Sequence, residues 1–430
     1  MALAAPPAGE PLTLSAALAA AESRSMALPA QTAAALAARE RAVAAGQRPD
    51  PVLRLGLDNV PIQGGTEHIL TREPTTARSI GIVQALPDSA KRQARTRRFE
   101  QDARVADARR QAVLGSLRRE TALAWLAAWA EMRRLSLIDE QRSEAERTQA
   151  AAEAAYRAGR GPQTDLFVTR SALARLADRR LQAEAAALNA RSTLRRWVGN
   201  AADRPLENAA GKSPGLLSDG ALPTAQWLTT LAAGDPELQL AAAREAAARS
   251  MADVASEERR ADWSVDLRFA QRGPRYDNMV TLGVSIPLRW NQANLQDREL
   301  AARLAEVEQA RTETEELRRI RTAEAERWLQ SLRAGWARLQ NLDHDLLPLA
   351  ASRTEAALSA YRSGSGSLQA VFDARQAEVA LRLDRLQIEL DTASEQARLD
   401  TLVVPTVVPA TAPLGVPLVS PVQAPLEATR

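Results

Sequence analysis

The chain has 430 residues, a formal charge of +3 and no cysteine, which excludes disulfides, thiol nucleophiles and a lipidated N-terminal cysteine. Glycine is scarce, aromatic residues make up 3% and alanine is abundant, the composition of helix-rich material. The pI near 9.7 comes from arginine, with Lys91 and Lys212 as the two lysines, and arginine pairs laterally with carboxylates along helices, so no nucleic-acid partner is expected.

After an N-terminal extension (1–11), helical periodicity runs from Leu12 to about Gly46, with Thr13 as its start and Pro29 as a predicted break. Alternation follows. Leu53, Leu55 and Leu57 point one way and Arg54, Gly56 and Asp58 the other, predicting a strand over about 51–59, and Ile80 and Ile82 predict a second over about 77–86. From Asp88 to Arg157 the pattern is helical, without proline and with Gly115 as its one glycine, so this helix should span on the order of 100 Å. Gly159-Arg160-Gly161-Pro162 reverses it into a return helix over 163–198, and a connector rich in glycine and proline covers 200–222.

The order then repeats over 223–402. A helix with a Gly234-Asp235-Pro236 break leads into strands at about 263–271 and 279–287, then a long helix over 291–362 and a return helix over 367–400. Tyr156-Arg157-Ala158-Gly159-Arg160-Gly161 recurs as Tyr361-Arg362-Ser363-Gly364-Ser365-Gly366, and Pro87 and Pro287, each closing a strand before a long helix, are separated by nearly the same interval. Such duplication points to a symmetric tube rather than an enzyme. The return helix of the first half and the opening helix of the second together match one long helix, so they are expected to stack end to end. Four strands cannot close a barrel, so the chain should oligomerise.

The tail (403–430) has no helix, because Pro405, Pro409, Pro413, Pro417, Pro421 and Pro425 interrupt its apolar run. The N-terminus lacks the charged and apolar regions of a signal peptide, which leaves a cytoplasmic chain or one whose signal has been removed. His68 and His344 stand alone in different halves, so no metal ligand set and no cofactor are expected. No phosphate loop or nucleophile with a histidine partner appears, and no catalytic residue is assigned. Trp125, Trp129, Trp328 and Trp336 are expected to pack helix on helix, and Arg95, Arg97 and Arg98 to be solvated or paired.

The order of helix, two strands, long helix, Tyr-Arg-x-Gly turn and return helix, written twice over about 12–402, resembles the TolC-type outer-membrane efflux proteins. The segment Arg48-Pro49-Asp50-Pro51-Val52-Leu53-Arg54-Leu55-Gly56-Leu57-Asp58-Asn59-Val60-Pro61, with Ser79 to Gln84 and Lys91-Arg92, resembles the branch serving heavy-metal RND efflux systems. The resemblance implies a mostly α chain with a small β part, trimerising into a twelve-stranded barrel continued by an α-helical tunnel. It also implies an exit duct that passively exports cargo, heavy-metal cations in that branch, from the outer membrane of a Gram-negative bacterium. The implied partners are a homotrimer, outer-membrane lipid, a periplasmic adaptor and an inner-membrane RND-type pump. Trp263 and Trp290 would then flank the second strand pair near the membrane interfaces.

The same resemblance assigns Tyr156, Gly159, Gly161, Leu166, Tyr361, Gly364, Gly366 and Leu368 to a periplasmic tip that docks the adaptor. Asp165 and Asp373 become candidate gate carboxylates, with Arg170 and Arg375 as their expected ion-pair partners, while Ala370 stands where some relatives carry a further aspartate. A soluble coiled-coil scaffold is the competing reading. It accounts for the alanine, the arginine and the helix length but not for four alternating strands set before the long helices.

Overall fold

A computed structural model of the chain describes residues 10–65, 68–69, 73–159, 161–207 and 234–402. Most of the 200–222 connector, the start of the helix expected from 223, Arg160 and the proline-rich tail lie outside the described residues. The elements run α1 (Leu14–Arg24), α2 (Ala27–Gly46), β1 (Val52–Asp58), β2 (Ala77–Leu86), α3 (Ser89–Arg157), α4 (Gln163–Val198), α5 (Pro236–Glu257), β3 (Trp263–Arg272), β4 (Met279–Ser285), α6 (Gln296–Asn341), α7 (Leu347–Arg362) and α8 (Leu368–Leu402). The fold is mostly helical with one small antiparallel sheet.

Three helix starts carry side-chain caps from Thr13, Asp88 and Asp235. Thr13 Oγ1 accepts from the Ala16 amide at 3.0 Å, Asp88 from that of Ala90 at 2.9 Å, and Asp235 from that of Glu237 at 2.8 Å. The Ala90 bond is the main reason the Asp88 carboxyl titrates below its ordinary range. The break in the first helical segment falls at Ser25–Met26 and not at Pro29. Pro29 sits in the first turn of α2, where its missing N–H has no intrahelical acceptor to lose.

The second long helix also differs from expectation. A short 3₁₀ turn, Gln292–Asn294, precedes α6, and one π turn, Leu342–Leu346, separates α6 from α7. Pro348 explains the π turn. In a regular α-helix its ring would press on the carbonyl four residues back and orphan it, and widening the preceding turn relieves both problems.

The sheet order is β1-β2-β3-β4, every pair antiparallel, so β2 and β3 join the two repeats. The registers set Leu55, Ile80, Phe269 and Val280 in one row across the sheet and Leu53, Ile82, Leu267 and Leu282 in the next. These side chains are all exposed, a continuous apolar face that no layer covers among the described residues. The opposite face carries Arg54, Gly56, Ser79, Gly81, Asp266, Arg268, Thr281 and Gly283. Trp263 opens β3, and Trp290, beyond β4, is 87% exposed.

Beneath the sheet, α3 is flanked by α2, α4 and α5. Arg39 of α2 pairs with Asp107 at 2.7 Å, in the half of α3 nearer the sheet, and Arg180 of α4 pairs with Asp139 at 2.8 Å, in the far half. Thus α4 is continued towards the sheet by α1 and α2, not by α5 as the lengths alone suggested. The reason is local. Gly199, at φ +66°, turns the end of α4 against Arg24 of α1, while α5 lies along α6 and the sheet-proximal part of α3. Arg95 of α3 meets Glu258 just past α5 at 3.2 Å.

The main core sits where these helices meet. Trp125 and Trp129 are buried among Ala17, Leu194, Val198 and Leu386, and the Trp125 indole donates to the Leu12 carbonyl at 3.1 Å. Leu12 is also bonded to Pro205 and Glu207 of the connector, which ties the start of the chain to the end of the first repeat. In the second repeat Trp328 and Trp336 pack with Leu332, Leu399 and Leu402. Burying an aromatic or leucine side chain is worth about 1.5–3 kcal/mol, so these clusters outweigh the exposed Arg–Glu pairs along α6. No helix among the described residues is long and apolar enough to cross a membrane.

Candidate functional site at the far end of the helical hairpins

The turns between α3 and α4 and between α7 and α8 lie together at the end of the molecule opposite the sheet, with the two hairpins packed through α3 and α8. Each turn closes in the same way. The amide of Gly159 donates to Tyr156 O at 2.9 Å and that of Gly161 to Ala155 O at 3.2 Å. In the second turn Gly364 donates to Tyr361 O at 3.1 Å and Gly366 to Ala360 O at 3.0 Å. Gly159 and Gly364 have φ of +70° and +78°, where a side chain is strained.

A small apolar core locks the hairpins to each other. Leu368 and Val371 of α8 pack with Ala152 of α3, and Leu166, Leu358, Tyr361 and Phe372 close around them. Leu368 is 1% exposed and cannot contribute to a docking surface, and Leu166 is half-buried in the same cluster. The repeat alone gave no way to see this, since leucine at a turn reads equally as a contact or as an anchor. The large apolar side chains that remain exposed here are Tyr156 and Phe167. Phe167 was not singled out from the sequence; it lies near the start of α4, two residues beyond Asp165.

Asp165 and Asp373 do not pair with Arg170 and Arg375. Arg170 reaches Glu153 at 3.9 Å, and Arg375 reaches Glu144 at 3.5 Å and Thr148 Oγ1 at 3.1 Å, so both arginines bridge to α3. Asp373 instead accepts from Gln369 Nε2 at 2.8 Å. Asp165 accepts from the Tyr361 hydroxyl at 3.3 Å, a bond between the two repeats. Burial, and then the Asp165 charge, push the Tyr361 hydroxyl pKa up, so it stays a donor at neutral pH.

Between the hairpins, α3, α4, α7 and α8 enclose a cleft of about 720 Å³. Its wall mixes Phe167, Leu358 and Phe372 with Arg175, Glu355 and Asp373. Among the described residues no group of three or more His, Asp or Glu side chains is placed to hold a metal ion. The arrangement offers paired turns, a bond between the repeats and a charged cleft.

At the sheet end, the Lys91 ammonium is 2% exposed and donates to Arg260 O at 2.5 Å and Asp262 Oδ1 at 2.8 Å. Arg289 donates to the same Arg260 carbonyl at 2.8 Å, so the start of α3 and both strands of the second repeat converge on one peptide. The sequence showed Lys91 as one of two lysines but not this role, because its partners are 169 and 171 residues away.

No protein-family model matches the sequence, and neither does any curated protein sequence. Solved structures do match. The chain is similar to the outer-membrane channel OprN (16% identity, 91% of this chain and 89% of that one, TM-score 0.75). It is similar to CusC, whose structures describe transmembrane channel formation (14% identity, 93% and 95%, TM-score 0.76). It is also similar to the outer-membrane protein VceC of Vibrio cholerae (15% identity, 91% and 95%, TM-score 0.72). The chain therefore has, over nearly its whole described length, the fold of these outer-membrane channel proteins.

Proposed function

We propose that this chain is the outer-membrane exit duct of a tripartite efflux system and a member of the TolC-type family. The observation that carries the reading is the sheet. An exposed apolar face, a polar opposite face and two edges, β1 and β4, that are unpaired among the described residues suit one third of a closed barrel with lipid outside and water inside. Three copies supply twelve strands, and the paired helical hairpins extend the lumen through the periplasm of a Gram-negative bacterium. The fold likeness to OprN, CusC and VceC supports the same reading.

In this function the chain hydrolyses nothing. An inner-membrane RND-type pump supplies the energy, and an adaptor docks at the turns around Tyr156, Gly159, Gly161, Tyr361, Gly364 and Gly366. Asp165 and Asp373 are the gate carboxylates, with Tyr361 rather than an arginine as the partner of Asp165. The segment from Arg48 to Pro61 supports assignment to the heavy-metal branch, with metal cations as cargo.

Electron microscopy of the detergent-purified chain tests the duct. Elongated three-fold particles with a detergent belt at one end are expected. Belt-free rods would overturn the reading and leave a soluble coiled-coil scaffold.

A further inference from the structure

On the polar face of the sheet, the register pairs Arg54 with Gly81, Gly81 with Arg268 and Arg268 with Thr281, one row across all four strands. The two arginines flank a glycine. A Cβ on Gly81 would stand 3.0 Å from the Leu267 carbonyl and 3.3 Å from Arg268 Cβ, so the row has no room for a side chain between them. With strands spaced about 4.8 Å apart, the two arginine backbones are about 10 Å apart, only slightly more than the Debye length of about 8 Å at physiological salt. Their potentials overlap.

Neutralisation is poor. Arg268 lies 3.7 Å from Asp58, an exposed pair of small worth, and Arg54 has no carboxylate within ion-pair distance among the described residues. The neighbouring row, Val52, Val83, Asp266 and Gly283, supplies one carboxylate, which rests over Gly283 on the side away from Arg54. Arg272, on the same face, is held by the carbonyls of Asp277 and Pro74 near the hairpin end.

We propose that Arg54 and Arg268 form an anion-favouring ring in the barrel lumen. This rests on the duct reading, in which three copies set six guanidinium groups at one level. A like-charge ring in a water-filled passage concentrates counter-ions and repels ions of its own sign, divalent cations most. The ligands are small inorganic anions and anionic complexes, so a metal leaves this barrel accompanied by anions and the barrel is not the section that selects cations.

The test is a planar bilayer holding the full chain under a KCl gradient, with the native tip and with Tyr361→Phe, which removes one bond between the repeats. Arg54→Gln and Arg268→Gln should each lower the chloride-to-potassium permeability ratio by about twofold or more, and the double variant further. Arg78→Gln, on the apolar face, should leave it unchanged. Because the chain has no cysteine, Arg54→Cys can be labelled at one place after assembly, free of any folding effect. An anionic thiol reagent should lower the ratio relative to a cationic one. Conducting channels with the same ratio in the double variant, or with both labels, overturn the ring. Loss of all conductance in every form, native included, would instead strike the duct reading.

Discussion

The Tyr361 hydroxyl donates to Asp165, nine residues beyond the first-repeat tyrosine, but the position nine residues beyond Tyr361 is Ala370, so the link between repeats exists in one direction only. A 3.3 Å, half-buried bond to a carboxylate is worth about 1 kcal/mol. In the proposed duct, Tyr361→Phe should therefore raise the open fraction of the tip about fivefold. Single-channel recording reads this directly, and an unchanged open fraction removes the bond from the gate.

Lys91 and Asp262 differ sharply in exposure, 2% against 40% for their side chains, so breaking the pair from either end should not be symmetric. Asp262→Asn leaves a buried ammonium with a neutral partner and should cost about 3 kcal/mol. Lys91→Met leaves a carboxylate that water reaches and should cost less, about 1–2 kcal/mol. Thermal unfolding in detergent gives the order, and the reverse order would contradict it.

Gly335 of α6 faces Thr392 of α8 so closely that a Cβ there would overlap the threonine hydroxyl. Gly335→Ala should destabilise by about 1–3 kcal/mol despite alanine's better helix propensity. Adding Thr392→Ala should recover most of the loss. If the double variant stays as unstable as the single one, the contact is not the cause.

Burial raises the Asp235 pKa above its ordinary 3.8, and Arg321, 3.3 Å away, only partly opposes it. The folded chain then holds this proton more tightly than the unfolded one. Stability contributed by Asp235 accordingly rises as pH falls through the raised pKa and levels off below 3.8. Denaturant unfolding of the native chain against Asp235→Asn should show the difference changing in that acid window alone, and a pH-independent difference would rule it out.

Much of the fold was written locally. Alternation at Leu53, Leu55, Ile80 and Ile82 marked strands, and the lack of proline from Ser89 to Arg157 marked one uninterrupted helix. Pro348 carried a signal too, but a π turn absorbs it within a helical pattern, so the sequence reads as continuous. At the tip, the repeated Tyr-Arg-x-Gly exposed the turns, whereas the partners of Arg170 and Arg375 depended on which helix lies alongside. Asp165 and Arg170 are five residues apart, and Asp373 and Arg375 two, spacings that do not bring side chains together on a helix, and both arginines turn to α3 instead. Tyr361 and Asp165 are 196 residues apart, beyond what any local pattern records.

The even strand count has a consequence for direction. With β1 to β4 alternating up and down, β4 runs opposite to β1, so a copy set edge to edge in the same orientation offers β4 an antiparallel neighbour. Any number of identical copies can continue that alternation around a ring without a mismatch. Loss of an edge strand, β1 or β4, would leave three, and every seam between copies would then bring two strands together in parallel.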